Sequence, residues 1–385
     1  MLVPGARDAL AQVMTAFRSK SDLSLPRPTS IPDLKGHKSM QKRPNVLVVG
    51  GGVAGLTAAL NLAQRGVGVT LLERSPELGG NAKTVCCKAL APASSRWAGK
   101  CQLCGGCLLS DALAAVRQTD GIRILTGTTV TQFKRVDGGF CFYVDGSVPA
   151  TASAGAAAAV TNLPSCYVDA VVLATGFDHI DARAKGPYGY GILPAVTTGE
   201  EMEKRLKIEG QGAYDSNPPR HIAFIQCVGS RDEHAGRGYC SQVCCRYALR
   251  LARVLKSRFA DAEITIFKMD IQVSGRDFGE TWKTVAAEGF RLVSGLPAVI
   301  RRSTNNPAHV TFLYDDILAG QLRQEDFDLV VLATGMQPRA DVADVADLYG
   351  IDRDRFGFLA ARPSSSDAHS DTTSTAVPGI FLAGA

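Results

Sequence analysis

The feature that most constrains this chain is a strand-turn-helix-strand pattern near its fiftieth residue. An apolar strand, a glycine turn, a helix with apolar positions at helical spacing and a second strand follow one another in residues 45–75, NVLVVGGGVAGLTAALNLAQRGVGVTLLERS. Gly50, Gly52 and Gly55 fit G-x-G-x-x-G in this context. The three glycines would allow a tight turn, close approach of a pyrophosphate and packing of the helix on the sheet. The sequence therefore predicts a dinucleotide-binding unit.

The second strand of this unit ends in an acidic residue. Glu73 follows the glycine turn by about 20 residues, which is where such units hold the adenosine ribose. Its carboxylate is expected to accept hydrogen bonds from the ribose hydroxyls and would repel a 2′-phosphate. FAD or NAD is therefore favoured over NADP.

More glycine turns follow apolar strands along the chain. LGG lies at residues 78–80, two strands end in Ala-Thr-Gly (DAVVLATGFD, 169–178, and DLVVLATGMQP, 328–338), and VPGIFLAGA ends in a glycine turn at 377–385. This set resembles the flavoproteins with two dinucleotide-binding domains, the glutathione and thioredoxin reductase superfamily, and the resemblance implies FAD at the first site. The cofactor-binding residues predicted in this way are Gly50, Gly52, Gly55, Glu73, Gly79, Gly80, Ala174, Thr175, Gly176, Gly335 and Gly384.

The same resemblance predicts an α/β fold with two Rossmann-like domains. An N-terminal amphipathic extension and linker (1–43) precede the first part of the FAD domain (44–180), a second Rossmann-like domain (181–324) and the second part of the FAD domain (325–385). Compared with the family pattern, the last part looks truncated at its C-terminal end. The strand HIAFIQC of the second domain is not followed by G-x-G-x-x-G. This domain is therefore expected to be degenerate, which argues against an NAD(P)H site.

Four cysteines stand where the second phosphate loop is missing. Cys227 ends the strand, and Cys240, Cys244 and Cys245 open a predicted helix. The spacing C-x12-C-x3-C-C differs from the paired C-x2-4-C knuckles of structural zinc sites. A helix N-terminus would offset the negative charge of a thiolate-ligated cluster. A 4Fe-4S cluster is favoured, and zinc and packed or redox-paired thiols remain as alternatives.

At these residues the sequence resembles the A subunit of heterodisulfide reductase and its relatives. The segments that carry the resemblance are FIQCVGSRD, YCSQVCCRYALRLA, YGYG, ITIFKMDI and GIFLAGA. The resemblance implies that Cys227, Cys240, Cys244 and Cys245 ligate a 4Fe-4S cluster, and that electrons pass between a flavin and iron-sulfur partners like the B and C subunits of that enzyme. The chain departs from the family in lacking complete ferredoxin-type cysteine runs.

A second group of cysteines lies in VCCKALAPASSRWAGKCQLCGGC, residues 85–107. Three interpretations stay open: a second iron-sulfur cluster, a flavin-coupled redox dithiol of Cys101 and Cys104 as the catalytic pair, or zinc binding and packing. The further members of the group are Cys86, Cys87 and Cys107.

Composition excludes several other classes of protein. The net charge is only +5 and no Lys/Arg-rich run occurs, which argues against nucleic-acid binding. No apolar stretch approaches the ~20 residues of a membrane helix, and no signal peptide is evident. We therefore expect the chain to lie in the cytoplasm, where eleven cysteines predict metal or redox chemistry. We also expect it to form a homo-oligomer or a hetero-complex.

The function expected from these observations is that of an electron-transfer subunit that uses FAD and a 4Fe-4S cluster in a heterodisulfide-reductase-like complex. One alternative is a stand-alone NAD(P)H-dependent dithiol-disulfide oxidoreductase that uses Cys101 and Cys104. An alternative of another class is a non-catalytic scaffold that binds flavin and cluster structurally.

Overall fold

The computed structural model describes residues 43–86, 108–146, 166–208, 214, 217–272, 287–362 and 373–384. The predicted N-terminal extension lies outside this range except for its last residue. Within the described part of the chain, no helix is long and apolar enough to cross a membrane. The chain divides into two compact units, the first from 1–83, 108–177 and 339–385 and the second from 84–107 and 178–338.

The first unit is built on a five-stranded parallel sheet. Its strand order is β18-β7-β1-β2-β3, and an antiparallel sheet of order β4-β5-β6 accompanies it. The strands are β1 (Asn45–Val49), β2 (Gly68–Glu73), β3 (Ile122–Thr126), β4 (Thr128–Val136), β5 (Gly139–Gly146), β6 (Cys166–Val168), β7 (Ala170–Leu173) and β18 (Ile380–Leu382). The helices are α1 (Val53–Gln64), α2 (Leu108–Gln118) and α5 (Val342–Tyr349).

Side chains of β1 alternate between two apolar cores, as they must in a strand covered on both faces. Val46 and Val48 pack in a core with residues of α1 and α2. Leu47 packs in the opposite core, with aromatic residues of β5 and with Tyr349 of α5. The central strand is therefore apolar from Val46 to Val49, and the glycine turn leaves its carboxyl end.

The second unit has a five-stranded parallel sheet of order β12-β11-β10-β16-β9. The antiparallel sheet β13-β14-β15 and the short pair β8 and β17 complete its strands. The strands are β8 (Asp178–His179), β9 (Val196–Thr198), β10 (His221–Val228), β11 (Glu263–Lys268), β12 (Arg291–Ser294), β13 (Val299–Arg302), β14 (Val310–Asp316), β15 (Gln321–Phe327), β16 (Leu329–Thr334) and β17 (Met336–Gln337). The helices are α3 (Gly199–Ile208) and α4 (Cys244–Arg258).

Strand β10 alternates in the same way as β1. Ile222 and Phe224 face a core built with α3 and α4. Ala223 and Ile225 face a core that includes aromatic residues of β11, β14 and β15. Both units thus have a central parallel strand that leads into a helix, and the prediction of two Rossmann-like units is confirmed.

One strand differs from the sequence analysis. The sequence predicts that the FAD domain resumes at residue 325 and so includes the second Ala-Thr-Gly strand, β16. In the structure β16 lies in the sheet of the second unit, between β10 and β9, with Ile222 paired to Leu329. All six of its residues are buried, as in an internal strand. The chain rejoins the first unit only at Arg339.

Candidate functional site

The glycine turn after β1 has no room for side chains at two of its motif positions. Gly50 has φ +109°, and a Cβ there would lie 2.2 Å from the carbonyl oxygen of Ala174. A Cβ at Gly55 would lie 1.8 Å from the carbonyl oxygen of Gly50. Both distances are far inside van der Waals contact. Only glycine therefore allows the turn and the start of α1 to pack this closely.

Gly52 differs from its neighbours because the space at its α-carbon is open. It is the N-cap of α1, and of the described atoms only the Cα of Gly80, at 3.9 Å, comes within 4 Å of a Cβ built there. No side chain caps this helix, and its first turn holds no acidic residue. Its amide groups and dipole therefore suit an anionic group such as a pyrophosphate.

Glu73 ends β2 beside the same turn. Its Oε2 accepts the backbone N–H of Gly51 at 2.7 Å. Its Oε1 accepts the backbone N–H and the hydroxyl of Ser75, at 2.9 and 2.7 Å. The carboxylate is thus fixed next to the open N-terminus of α1. A carboxylate for the ribose beside a helix terminus for the diphosphate is what dinucleotide recognition requires.

Three further glycines of the predicted set surround the start of α1. Gly79, Gly80 and Gly384 all have positive φ, at +124°, +52° and +89°. A Cβ at Gly80 would lie 3.0 Å from the Cα of Gly52, and one at Gly384 would lie 2.9 Å from the Cβ of Ala54. The backbone therefore forms a cradle that side chains would fill, which fits the close approach of a dinucleotide.

The first Ala-Thr-Gly segment also lies in this unit. The N–H of Ala174 donates to the carbonyl of Val49 at 2.8 Å, which continues the sheet past β7. The N–H of Thr175 would be 3.3 Å from a Cβ at Gly50. Gly176 follows with φ +76°. Ala174 and Thr175 therefore adjoin the glycine turn, and the assignment of all three residues to the cofactor site stays a prediction.

Gly335 lies in the second unit, and its assignment to the FAD site stays a prediction. Gly335 follows β16 in the second unit, and its N–H donates to the carbonyl of Val228 at 3.0 Å. A Cβ at Gly335 would lie 1.8 Å from Oγ of Ser230 and 2.5 Å from Oγ of Ser241. The glycine therefore allows the cysteine-bearing loop to pack on the end of β16.

Three of the four predicted cysteine ligands are buried together in the second unit. Cys244 and Cys245 are the first two residues of α4, and Cys227 lies near the end of β10. Cys227 has φ +60°, which is uncommon for a residue with a side chain. The register between β10 and β16 shifts at this point. The resulting bulge turns the Cys227 thiol towards α4.

The thiols of these three cysteines form a chain of hydrogen bonds. A hydrogen bond from Cys244 lowers the pKa of Cys227, although burial opposes it and Arg231 assists it. The same hydrogen bond raises the pKa of Cys244 to about 11. Cys245 donates in turn to Cys244, so its own pKa is raised, with burial adding to the effect. The thiol of Cys244 is thus hydrogen-bonded to the thiols of both Cys227 and Cys245.

Cys240 lies in the loop that leads into α4 and is half-buried. Its Sγ accepts the backbone N–H of Gln242 at 3.4 Å. Gln242 has φ +56°, another left-handed residue that carries a side chain. The strained loop therefore directs an amide towards a cysteine sulfur, which is the kind of contact that thiolate ligands receive.

A positive charge lies beside Cys227. Arg231 hydrogen-bonds to the thiol of Cys227, and this contact contributes to the raised pKa of Arg231. The main cause of that raised pKa is a hydrogen bond to Asp270, whose carboxylate forms an ion pair with Arg231 at 2.5 Å. Arg237, which the sequence also places close by, instead donates to Oε1 of Gln337. Arg231 is therefore the arginine best placed to offset a thiolate.

The loop that carries the cysteines is tied to the segment after β16. The hydroxyl of Tyr239 donates to the carbonyl of Met336 at 2.8 Å, and the hydroxyl of Tyr247 donates to the carbonyl of Thr334 at 3.1 Å. These bonds hold the loop and the first turn of α4 at the carboxyl end of the sheet, where α/β folds place their ligand sites.

The four cysteines fit an iron-sulfur cluster by the chemistry of their donor atoms and by the strain stored around them. Within the described residues, however, no three His, Cys, Asp or Glu side chains are arranged so that they could hold a metal ion. The assignment of Cys227, Cys240, Cys244 and Cys245 as ligands accordingly stays a prediction.

The second cysteine group is described only at Cys86, since Cys87, Cys101, Cys104 and Cys107 lie outside the described residues. Cys86 is fully buried in the core that also contains Cys244 and Cys245. Its backbone N–H donates to Oε2 of Glu203 at 2.7 Å, and burial raises the pKa of its thiol to about 12. Of the three interpretations, packing suits this thiol best.

Two features of this site were not identified from the sequence. Glu203 of α3 and Arg250 of α4 form a buried ion pair, and Arg250 also donates to the carbonyl of Cys86. Gln226 is fully buried beside Cys227. Glu203 and Arg250 follow ordinary helical patterns, and Gln226 interrupts an apolar strand, which is the one signal that the sequence offers.

The fold and the glycine cradle of the first unit define a protein with a dinucleotide-binding unit. Residues 44–385 match the family described as pyridine nucleotide-disulphide oxidoreductase. The chain belongs to this family, which confirms the predicted oxidoreductase class and implies a flavin.

Individual relatives confirm the resemblance to the A subunit of heterodisulfide reductase. The chain is 28% identical, over 88% of its length, to an iron-sulfur A subunit of the CoB–CoM heterodisulfide reductase of Methanopyrus kandleri. It is 26% identical, again over 88%, to the A subunit of the H(2):CoB-CoM heterodisulfide,ferredoxin reductase of Methanothermobacter marburgensis. The matched part spans 60% of each of these relatives. The corresponding protein of Methanococcus maripaludis is 35% identical over 56% of this chain and 33% of its own length.

Proposed function

We propose that this chain is an electron-transfer subunit that binds FAD and a 4Fe-4S cluster and works in a heterodisulfide-reductase-like complex. It would pass electrons between the flavin and iron-sulfur partner subunits. A flavin accepts two electrons and releases them singly, and a 4Fe-4S cluster carries one, which is the chemistry that these groups supply when bound.

The observation that carries the proposal is the arrangement of cysteines at the start of α4. Cys227, Cys244 and Cys245 are buried, the thiol of Cys244 is hydrogen-bonded to the other two, and Cys240 lies in the loop that leads to them. In a dinucleotide-binding unit, the turn between this strand and this helix is where phosphates bind. A buried set of thiols here supports a cluster in place of a nicotinamide cofactor.

The residues of the first unit support FAD. Gly52 leaves the terminus of α1 open, and Glu73 is held beside it by three hydrogen bonds. We assign the diphosphate to the first turn of α1 and the ribose hydroxyls to Glu73. This chain's part in catalysis would be to bind and orient the flavin and to set the charge around the cysteines.

The names of the relatives support partners of a particular kind. Those names describe components of enzymes that act on the CoB-CoM heterodisulfide, and in some cases on ferredoxin. We accordingly propose iron-sulfur electron carriers as the partners of this chain, with assembly in the cytoplasm.

A stepwise anaerobic reduction tests this function. The chain is reconstituted with FAD, iron and sulfide, then titrated with dithionite while flavin absorbance and cluster EPR are followed. Both signals should respond, and Cys244→Ser should keep the flavin response but lose the EPR signal. Cys141→Ser is the matched control, since Cys141 lies in β5 of the first unit, and it should keep both. A wild-type chain that holds zinc, or no metal after reconstitution, would contradict the proposal.

A further inference from the structure

Both polar atoms of the Gln226 side chain are withdrawn from water in the second unit. It is fully buried, and neither its Nε2 nor its Oε1 has a hydrogen-bond partner among the described residues. An amide withdrawn from water without a partner is strongly unfavourable, and such groups are rare in folded proteins. A buried amide of this kind therefore points to a group that binds beside it.

The direction of the Gln226 side chain follows from the strand that carries it. Successive side chains of a strand point to opposite faces of its sheet. Ile222 and Phe224 face α4 and share a core with Cys244 and Cys245, whereas Ala223 and Ile225 face the other core. Gln226 continues the first series and lies on the α4 side.

The side chain of Cys227 also points to the α4 side, because the strand is distorted there. Regular alternation would turn it away from α4, but its φ of +60° and the bulge re-aim it, so that it contacts Cys244. Gln226 and Cys227 therefore approach the start of α4 together. This local distortion brings the orphaned amide and the thiols to one face of the sheet.

Two other polar groups that pack around this core are already engaged. The carboxylate of Glu203 binds Arg250 and the N–H of Cys86, and the hydroxyl of Tyr247 donates to Thr334. The rest of the core is formed by aliphatic and aromatic side chains. A group bound at the start of α4 could therefore contact both the cysteine sulfur atoms and the amide of Gln226.

We propose that the side-chain amide of Gln226 donates a hydrogen bond to a sulfur atom of the 4Fe-4S cluster held by these cysteines, and thereby raises the cluster's reduction potential. The inference rests on the proposed function. A donor to sulfur stabilises the reduced state more than the oxidised state, because reduction adds one negative charge to the acceptor. Gln226 would thus raise the reduction potential of the cluster without being one of its ligands.

The test is an EPR-monitored redox titration of the reconstituted chain and of Gln226→Met. Methionine is unbranched and apolar, so it fills the space of the glutamine and removes the donor. The midpoint potential should fall by about 59 mV, which corresponds to a tenfold shift of a one-electron equilibrium. Ile225→Met is the matched control, since its side chain lies on the opposite face, and it should leave the potential unchanged.

A second measurement uses the metal-free chain. Without the cluster the amide of Gln226 is an unpaired buried group, so Gln226→Met should raise the Tm of the metal-free protein. A lower Tm would show that the amide has a partner within the protein and would overturn the inference. Gln226→Leu repeats this comparison with a second apolar side chain.

The remaining outcomes separate the inference from the proposed function. A variant with a full complement of iron and an unchanged midpoint potential would overturn the role of Gln226 and leave the function standing. Loss of one iron in the variant would make Gln226 a ligand, which also contradicts the donor role. A wild-type chain that takes up no iron and sulfide would overturn the proposed function itself, and the inference with it.

Discussion

Gly50 and Gly52 stand two residues apart in one turn, yet the structure gives them different reasons to be glycine. Gly50 is required by the protein itself, because its φ is +109° and a side chain would overlap Ala174. Gly52 has an ordinary backbone conformation and open space beyond its α-carbon. The second glycine is therefore explained only by a molecule that approaches the backbone there.

This contrast predicts opposite outcomes for two alanine substitutions. Gly52→Ala should fold with the stability of the wild type but bind FAD about tenfold more weakly, since the new methyl group stands where the diphosphate would approach. Thermal unfolding of the metal-free chain and a fluorescence titration with FAD measure the two quantities.

Gly50→Ala is the companion variant. It should lose at least about 2 kcal/mol of stability, from backbone strain and from overlap with the Ala174 carbonyl. If Gly52→Ala bound FAD as tightly as the wild type, the diphosphate would not lie at this terminus of α1.

Among the elements, the sequence predicts local patterns well but does not predict which distant strands pair. The units β1-turn-α1-β2 and β10-loop-α4-β11 follow from the order of apolar runs and glycines in a short stretch of sequence. The two Ala-Thr-Gly strands, β7 and β16, are locally alike, and only their partners, β1 and β10, distinguish them. Those partners are far apart in sequence, so the sequence does not show to which unit β16 and Gly335 belong.

Helices α3 and α4 are joined by a buried ion pair. Side chains of Glu203 and Arg250 are only 7% and 17% exposed, and both also bind the backbone of Cys86. Glu203→Ala should therefore cost about 3–5 kcal/mol, because it leaves the arginine buried without its counter-charge. The free energy of unfolding in urea measures this loss.

A control for this prediction lies on the same helix. Glu200 and Lys204 form an i,i+4 pair at 2.7 Å with side chains that are 30% and 49% exposed, so Glu200→Ala should cost no more than about 0.5 kcal/mol. Adding Arg250→Met to Glu203→Ala should recover part of the lost stability, since it removes the stranded charge. Equal losses at Glu200 and Glu203 would refute the account of the buried pair.

The antiparallel sheet of the second unit contains a carboxylate whose protonation should weaken it. Burial alone would raise the pKa of Asp326, but hydrogen bonds from Thr311, Ser303 and Asn305, with the charge of His309, outweigh burial and lower it. Its contribution to stability is therefore present above the ordinary Asp pKa of about 3.9 and is lost as the pH falls through the lower value in the folded state.

Asp326→Asn tests this pH dependence. The variant should be less stable than the wild type at neutral pH, and the difference in urea midpoint should shrink as the solution is made acidic. A difference that stays constant with pH would mean that the charge of Asp326 contributes nothing.

For the whole molecule, one plan is used twice with different chemistry at the same topological position. The first unit keeps the glycine turn, with Gly52 open to a ligand. The second unit keeps the strand and the helix but fills the turn with cysteines, left-handed residues and a bulge. The sequence predicts the glycines of the first turn and the cysteines of the second. It did not predict the buried amide of Gln226, because an isolated polar residue in a strand reveals no partner.

The central claim is that Cys227, Cys240, Cys244 and Cys245 hold one cluster. The most direct test is to measure iron, acid-labile sulfide, zinc and flavin per chain after anaerobic purification, for the wild type and for Cys227→Ser and Cys244→Ser. The account predicts about four iron and four sulfide ions with one FAD, and loss of iron but not of FAD in both variants. Zinc in place of iron, or iron retained by both variants, would contradict it.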